Sequence, residues 1–245
     1  MGASRRHAGG EPLAGRQTAV ICTFQQTEMP IHAAMRISIP GHVRGPTSFH
    51  AASRRLPGGW NGIVHRMALT STVHVFDLSL SDVDRGVYED LTLKVARHPS
   101  ESAEYLFTRV LAYALELEEG LAFSQGLSVA DEPALWTRDL TGQLHAWIEV
   151  GTPEAARLHK ATKACGRVVV YCHKEVHHYL RSLAGQKIYE PERITIVGLD
   201  RAFVGSAAAK IEKRTKMALS VTEGTLYVDI GGESFSAPLE RLAVP

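Results

Sequence analysis

The stretch Leu144–Cys172, LHAWIEV GTPEAARLHKATKACG RVVVYC, decides the fold. Its first seven residues are apolar enough for a central strand. Pro153 then opens a helix that runs through Cys165 and stops at Gly166. Proline is tolerated in a helix's first turn, and glycine is favoured just past its end. Arg167–Cys172 is a second apolar run, of the kind found in strands buried on both faces. Strand, helix, strand is the signature of the α/β class.

Downstream, Lys174–Leu183 predicts a helix stopping near Gly185, Ile194–Leu199 a buried strand, and Asp200 the cap of a helix to about Lys213. The tail reads as a meander of Ala218–Thr222, Thr225–Ile230 and Ser234–Pro238, with Glu223-Gly224 and Gly231-Gly232 as hairpin turns. Upstream, Leu121–Leu127 and Pro133–Arg138 read as short strands, with a turn at Asp139-Leu140-Thr141-Gly142. A helix follows Pro99, with Ser100 as its expected N-cap, Glu101 and Glu104 in its first turn, and Gly120 as its end. Before it, Thr70–Leu80 and Tyr88–Ala96 alternate as the two strands of a hairpin. The expected fold is a mixed central sheet flanked by helices, with added N- and C-terminal β-hairpins.

Composition is that of an ordinary globular protein: 44% apolar, 22% charged, formal net charge +1. No apolar run approaches the ~18 residues of a membrane span, and the charge gives no global pull towards nucleic acid or membrane. Cys22, Cys165 and Cys172 are sparse, odd in number and without a CxxC pair, which speaks for a reducing cytoplasm and against a disulfide framework or zinc site. Residues 1–66 carry arginine but no lysine and show no sustained period. They read as a disordered arm, as a stretch upstream of a natural start at Met67, or as a transit-type peptide. The folded domain is expected over residues 67–245.

Three acidic positions converge by simple geometry. Glu104 sits on the first helix, Asp131 and Glu132 at the start of one strand, and Glu149 near the end of the next. A tight turn near Leu140-Thr141 would set Glu132 opposite Glu149, about 5 Å away. A carboxylate inside the strand Ala146–Val150 needs a partner. A Mg²⁺ or Mn²⁺ ion shared by the three acids would serve, and so would a basic side chain from Arg109, Arg157 or a lysine. Glu101 and Glu104 also fit as helix-capping acids, and Asp131-Glu132-Pro133 as a solvated turn. His173 and His177 share a helix spacing but lack a third ligand, so they read as surface histidines. Trp136 and Trp147 read first as core packing, Cys165 and Cys172 as small buried residues.

Arg97-His98-Pro99-Ser100-Glu101 with Ala103, Glu104 and Arg109 resembles the signature of the YaeQ family around its first helix. So do Gly126-Leu127, Asp131-Glu132-Pro133, Trp136, and Trp147-Ile148-Glu149-Val150-Gly151 with Pro153 and Lys160. The resemblance runs from Met67 nearly to Pro245. It implies a variant of the PD-(D/E)xK, restriction-endonuclease-like nuclease fold. There the helix glutamate and two strand acids bind Mg²⁺ and a lysine assists phosphodiester hydrolysis. Carried over, Glu104, Asp131 or Glu132, and Glu149 are the metal ligands, Glu149 and Lys160 the catalytic pair, with Lys163 in reserve. Two departures stand out. The order is Glu132-Pro133 rather than Pro-Asp, and Gly151 stands where the motif has lysine. The resemblance thus implies either a Mg²⁺-dependent nuclease acting on nucleic acid or a non-catalytic module binding nucleic acid or a protein partner.

Overall fold

The computed structural model describes residues 71–124 and 131–245. The extension expected over residues 1–66, and the part of the predicted Leu121–Leu127 strand beyond Ser124, lie outside the described residues.

The first hairpin is β1 (Thr72–Asp82) and β2 (Val87–Arg97). Helix α1 (Ala103–Leu115) follows, then β3 (Leu121–Phe123), β4 (Leu135–Arg138) and β5 (Leu144–Val150). Next come α2 (Ala155–Ala164), β6 (Arg167–Cys172), α3 (Val176–Leu183), β7 (Ile194–Gly198) and α4 (Arg201–Ala208). The tail is β8 (Arg214–Thr222), β9 (Thr225–Ile230), β10 (Glu233–Pro238) and β11 (Glu240–Ala243).

These strands make two mixed sheets rather than one central sheet with separate hairpins. The first sheet has the order β10-β9-β8-β1-β2, and the second β11-β7-β6-β5-β4-β3. The terminal hairpins join because β1 pairs parallel with β8, Val75 with Arg214 through Asp82 with Val221. Each thereby covers an edge the other would leave unpaired. In the second sheet β5, β6 and β7 are parallel, β4 and β11 flank them antiparallel, and β3 pairs antiparallel with β4.

Side-chain alternation builds the layers. Ile148, Val150, Val169 and Tyr171 face the core shared with α1, α4 and the first sheet. Trp147, Val168, Val170 and Cys172 point the other way, onto Leu158 and Ala161 of α2 and Tyr179 and Leu183 of α3. The order is therefore sheet, α1 with α4, sheet, α2 with α3. Helix α1 lies between two sheets, which is why every residue from Leu106 to Leu115 is buried. No helix among the described residues is long and apolar enough to cross a membrane.

Its N-cap is Ser102, not Ser100: the Ser102 hydroxyl accepts from the Tyr105 N–H. Glu101 is drawn out of the expected first turn into a buried pair with Arg109 (3.1 Å) and accepts from the His98 N–H (3.0 Å). Asp200 caps α4 as expected, accepting from Phe203 N–H at 2.7 Å. Gly120 adopts φ +81°, and a Cβ there would overlap the Arg138 carbonyl oxygen. Gly120→Ala is expected to cost at least about 2 kcal/mol, from left-handed strain plus that clash, read as a lowered urea midpoint with unchanged slope.

Candidate functional site

Residues two apart on a strand share a face, so Trp147 and Glu149 both point from β5 towards α2. The chain turns at Gly151, which has φ +97°, and re-enters as α2. This brings Arg157 back over the strand end it has just left. Glu149 Oε1 accepts from the Trp147 indole N–H at 2.6 Å and from Arg157 Nε at 2.6 Å. The same guanidinium donates through Nη2 to the Glu132 carbonyl oxygen at 2.6 Å. Glu149 is only 3% exposed. Burial pushes its carboxyl pKa up, and the bonds from Arg157 and Trp147 pull it back. Of the partners open to Glu149 in the sequence, Arg157 is the one the fold delivers.

The other predicted residues are placed differently. The β4–β5 register pairs Leu135 with Ile148 and Trp136 with Trp147, with a shift between Thr137 and Arg138. Glu132 therefore falls beyond the paired strands and does not oppose Glu149 as expected. Asp131 is exposed in a turn and takes Lys160 Nζ at 2.6 Å. That lysine's hydrogen bond holds the Asp131 carboxyl below its usual range. Glu104 lies half-buried in the first turn of α1. Hydrogen bonds from its own backbone and from Ser102 lower its pKa. Lys163 is exposed, its Nζ 6.0 Å from the Tyr189 ring centre. Among the described residues no three His, Cys, Asp or Glu side chains gather as a metal-holding group. Mg²⁺ and Mn²⁺ want carboxylate oxygens and water in a near-octahedral set. A Glu149 oxygen already shared by an indole N–H and a guanidinium does not offer that, so as folded these residues do not fit the ion.

Sequence reasoning missed His173. It is nine-tenths buried rather than on the surface, and its ring meets Tyr105 edge-on at 6.2 Å. Its Nδ1 is enclosed without a hydrogen-bond partner. Burial first, then Lys174, lowers its pKa, with Glu104 opposing. His173 directly follows the buried strand β6, a position that by itself does not mark a histidine as buried. His177 is exposed, 3.7 Å from Glu240. Trp147 packs into the core, whereas Trp136 is half-buried with the Arg138 guanidinium 4.4 Å from its ring centre.

A family model described as YaeQ protein matches residues 67–239. The curated protein of Escherichia coli strain K12 named Uncharacterized protein YaeQ is 27% identical over 163 residues, 66% of this chain and 90% of that protein. Its Salmonella typhi namesake is 36% identical over 107 residues, 44% of this chain and 59% of that protein. The crystal structure of YaeQ protein from Pseudomonas syringae superposes with TM-score 0.63 at 33% identity, covering 70% of this chain and 96% of that one. That from Xanthomonas axonopodis pv. citri gives TM-score 0.65 at 31% identity, covering 72% and 100%.

Arg157→Ala leaves Glu149 enclosed with only the indole N–H. The expected loss at pH 7 is about 2–3 kcal/mol, below the ~3–5 of a fully buried pair because Arg157 is partly exposed. The Glu149 pKa is already raised, and the variant raises it further. The folded state then binds its proton more tightly than the unfolded chain does, so stability increases as pH falls through the folded value towards 4.5, the carboxyl's ordinary value. Thermal melts at pH 7 and pH 5 should show the variant's deficit shrinking at the lower pH.

Proposed function

The chain belongs to the YaeQ family, and from that footing we propose that it is a non-catalytic module engaging the phosphate backbone of nucleic acid on a nuclease-like core. One observation carries the reading: the Arg157 guanidinium bridges the Glu149 carboxylate and the Glu132 carbonyl. In a nuclease of the PD-(D/E)xK type those two strand ends share a metal ion. Here a side chain supplies the positive charge, and Gly151 takes the place of the motif's lysine.

The face beside this pair supports phosphate contact. Lys160 and Lys163 both stand exposed on α2. The Lys160–Asp131 pair is solvent-exposed, so its net contribution is small and the ammonium can exchange onto a phosphate at little cost. Half-buried Trp136, with Arg138 over its ring, adds a stacking surface of the sort that takes an unpaired base. These groups sense backbone and base faces rather than sequence, so single strands without strict specificity are the expected partners.

Fluorescence anisotropy with single-stranded DNA and RNA oligonucleotides tests this. The expected Kd is between about 1 and 100 μM, with a log–log salt slope of roughly −1.5 from two phosphate contacts. Lys160→Ala with Lys163→Ala should weaken binding about tenfold or more and flatten the slope. Added Mg²⁺ or Mn²⁺ should produce no cleavage. Metal-dependent nicking that disappears in Glu149→Gln would instead establish the hydrolase reading. Absence of binding to either nucleic acid would turn the reading to a protein partner.

A further inference from the structure

Among the described residues the first sheet ends in β10 and β2, and the second in β11 and β3. Strands β10, β11 and β3 have six, four and three residues, whereas β2 has eleven. It pairs with β1 residue for residue from Val87 to Arg97 without a register shift, and it contains no proline. A long regular edge is a template for another strand, which short length, bulges or proline blunt. β2 has none of those devices.

The position of β1 fixes which backbone groups of β2 are open. The N–H groups of Val75 and, just past the end of β1, Val83 bond to the carbonyls of Lys213 and Val221, on the β8 side. Odd-numbered residues of β1 therefore turn to β8 and even-numbered ones to β2. Phe76 pairs with Leu93 and Leu78 with Leu91, so odd-numbered residues of β2 bond to β1. The even-numbered ones, Tyr88, Asp90, Thr92, Lys94 and Ala96, aim N–H and C=O away from the sheet. Arg109 takes the Ala96 carbonyl at 3.1 Å, which leaves the edge open from Tyr88 to Lys94.

The side chains of those five residues are all exposed, on the face turned away from α1. Asp90 and Lys94 lie about 13 Å apart along the strand, too far to pair with each other. An antiparallel second copy with its two-fold axis at Thr92 sets Asp90 opposite Lys94 of that copy, and Lys94 opposite its Asp90. Tyr88 then meets the small Ala96 of the second copy, and on the other face Glu89 falls diagonal to its Arg97. Moving the axis to Asp90 or Lys94 puts like charges opposite one another. Axes at Leu91 or Leu93 leave both charges facing neutral residues.

We propose that β2 is a self-association edge, on which two copies of this chain pair antiparallel about Thr92 and join their first sheets into one. The Thr92 pair and the two Asp90–Lys94 pairs supply about six backbone hydrogen bonds. The edge charges act as a selector, because an unrelated strand leaves them unmatched. The interface uses neither α2 nor the Glu149–Arg157 pair, so it is independent of nucleic-acid engagement.

Sedimentation velocity of the full chain over about 1–500 μM should show a reversible dimer with Kd of roughly 10–100 μM, as befits a small interface. Asp90→Lys should weaken it about tenfold or more, since the two-fold axis applies each change twice. Lys94→Asp should do the same. The two single variants mixed should associate with each other, and the exchange Asp90→Lys, Lys94→Asp in one chain should restore self-association. Under oxidation Thr92→Cys should yield a covalent dimer, with wild type as control, because Cα atoms of a directly opposed hydrogen-bonded pair lie about 5.5 Å apart, within disulfide reach. Asp90→Cys should not. All three positions are exposed, so circular-dichroism melts should match wild type. A monomer at every concentration overturns the proposal, as does a dimer that charge reversal leaves intact or cross-linking at Asp90 in preference to Thr92.

Discussion

A carboxylate on a central strand is the constraint around which this sheet end is organised. Glu149 sits where apolar side chains belong, with Val150 after it and Ile148 before it, and it stays there because Trp147 and Arg157 both donate to one of its oxygens. An ionised group removed from water has to be met by charge and hydrogen bonds, or it takes up a proton. The answer here is local in sequence. Arg157 stands eight residues on, and the turn at Gly151 followed by α2 returns it to the strand. By also holding the Glu132 carbonyl, the guanidinium ties β5, α2 and the approach to β4 into one unit.

That tie shapes what the end of the second sheet can do. Parallel strands β5, β6 and β7 deliver their following loops to one end, and α1 contributes its first turn there. The acids that a nuclease-like reading gathers are dispersed. Glu104 is half-buried in the first turn of α1, Asp131 is out in solvent with Lys160, and Glu149 is enclosed with Arg157. Dispersed acids suit recognition better than metal-assisted hydrolysis, where carboxylates must share one ion. The basic groups are likewise divided, Lys160 and Lys163 exposed on α2, Lys174 after β6 and Arg201 at the start of α4.

Much of the architecture was legible because it rests on local periodicity. β5, β6 and β9 appear with the expected bounds, and Asp200 caps α4. The need of Glu149 for a partner was legible too, with Arg157 among the candidates. Register was not. The shift between Thr137 and Arg138, beside a turn closed by Asp139, displaced Glu132 from its expected place. A period of two assigns a face to a side chain but does not choose the neighbouring strand. Hence the parallel pairing of β1 with β8, more than a hundred residues apart, was invisible. Ser100 and Ser102 are equally good capping residues by type. Glu101 settles the choice by pairing with Arg109, a contact eight residues away that propensity does not encode. His173 was misread because a histidine after an apolar strand carries no local mark of burial.

At Glu149 the Arg157 guanidinium occupies the place a cation would take. Calorimetric titration of Mn²⁺ into the intact protein at pH 7 addresses that most directly. Only dilution heats are expected, identical for wild type and Glu149→Gln. A saturable site of about one ion per chain, lost in Glu149→Gln, would contradict it.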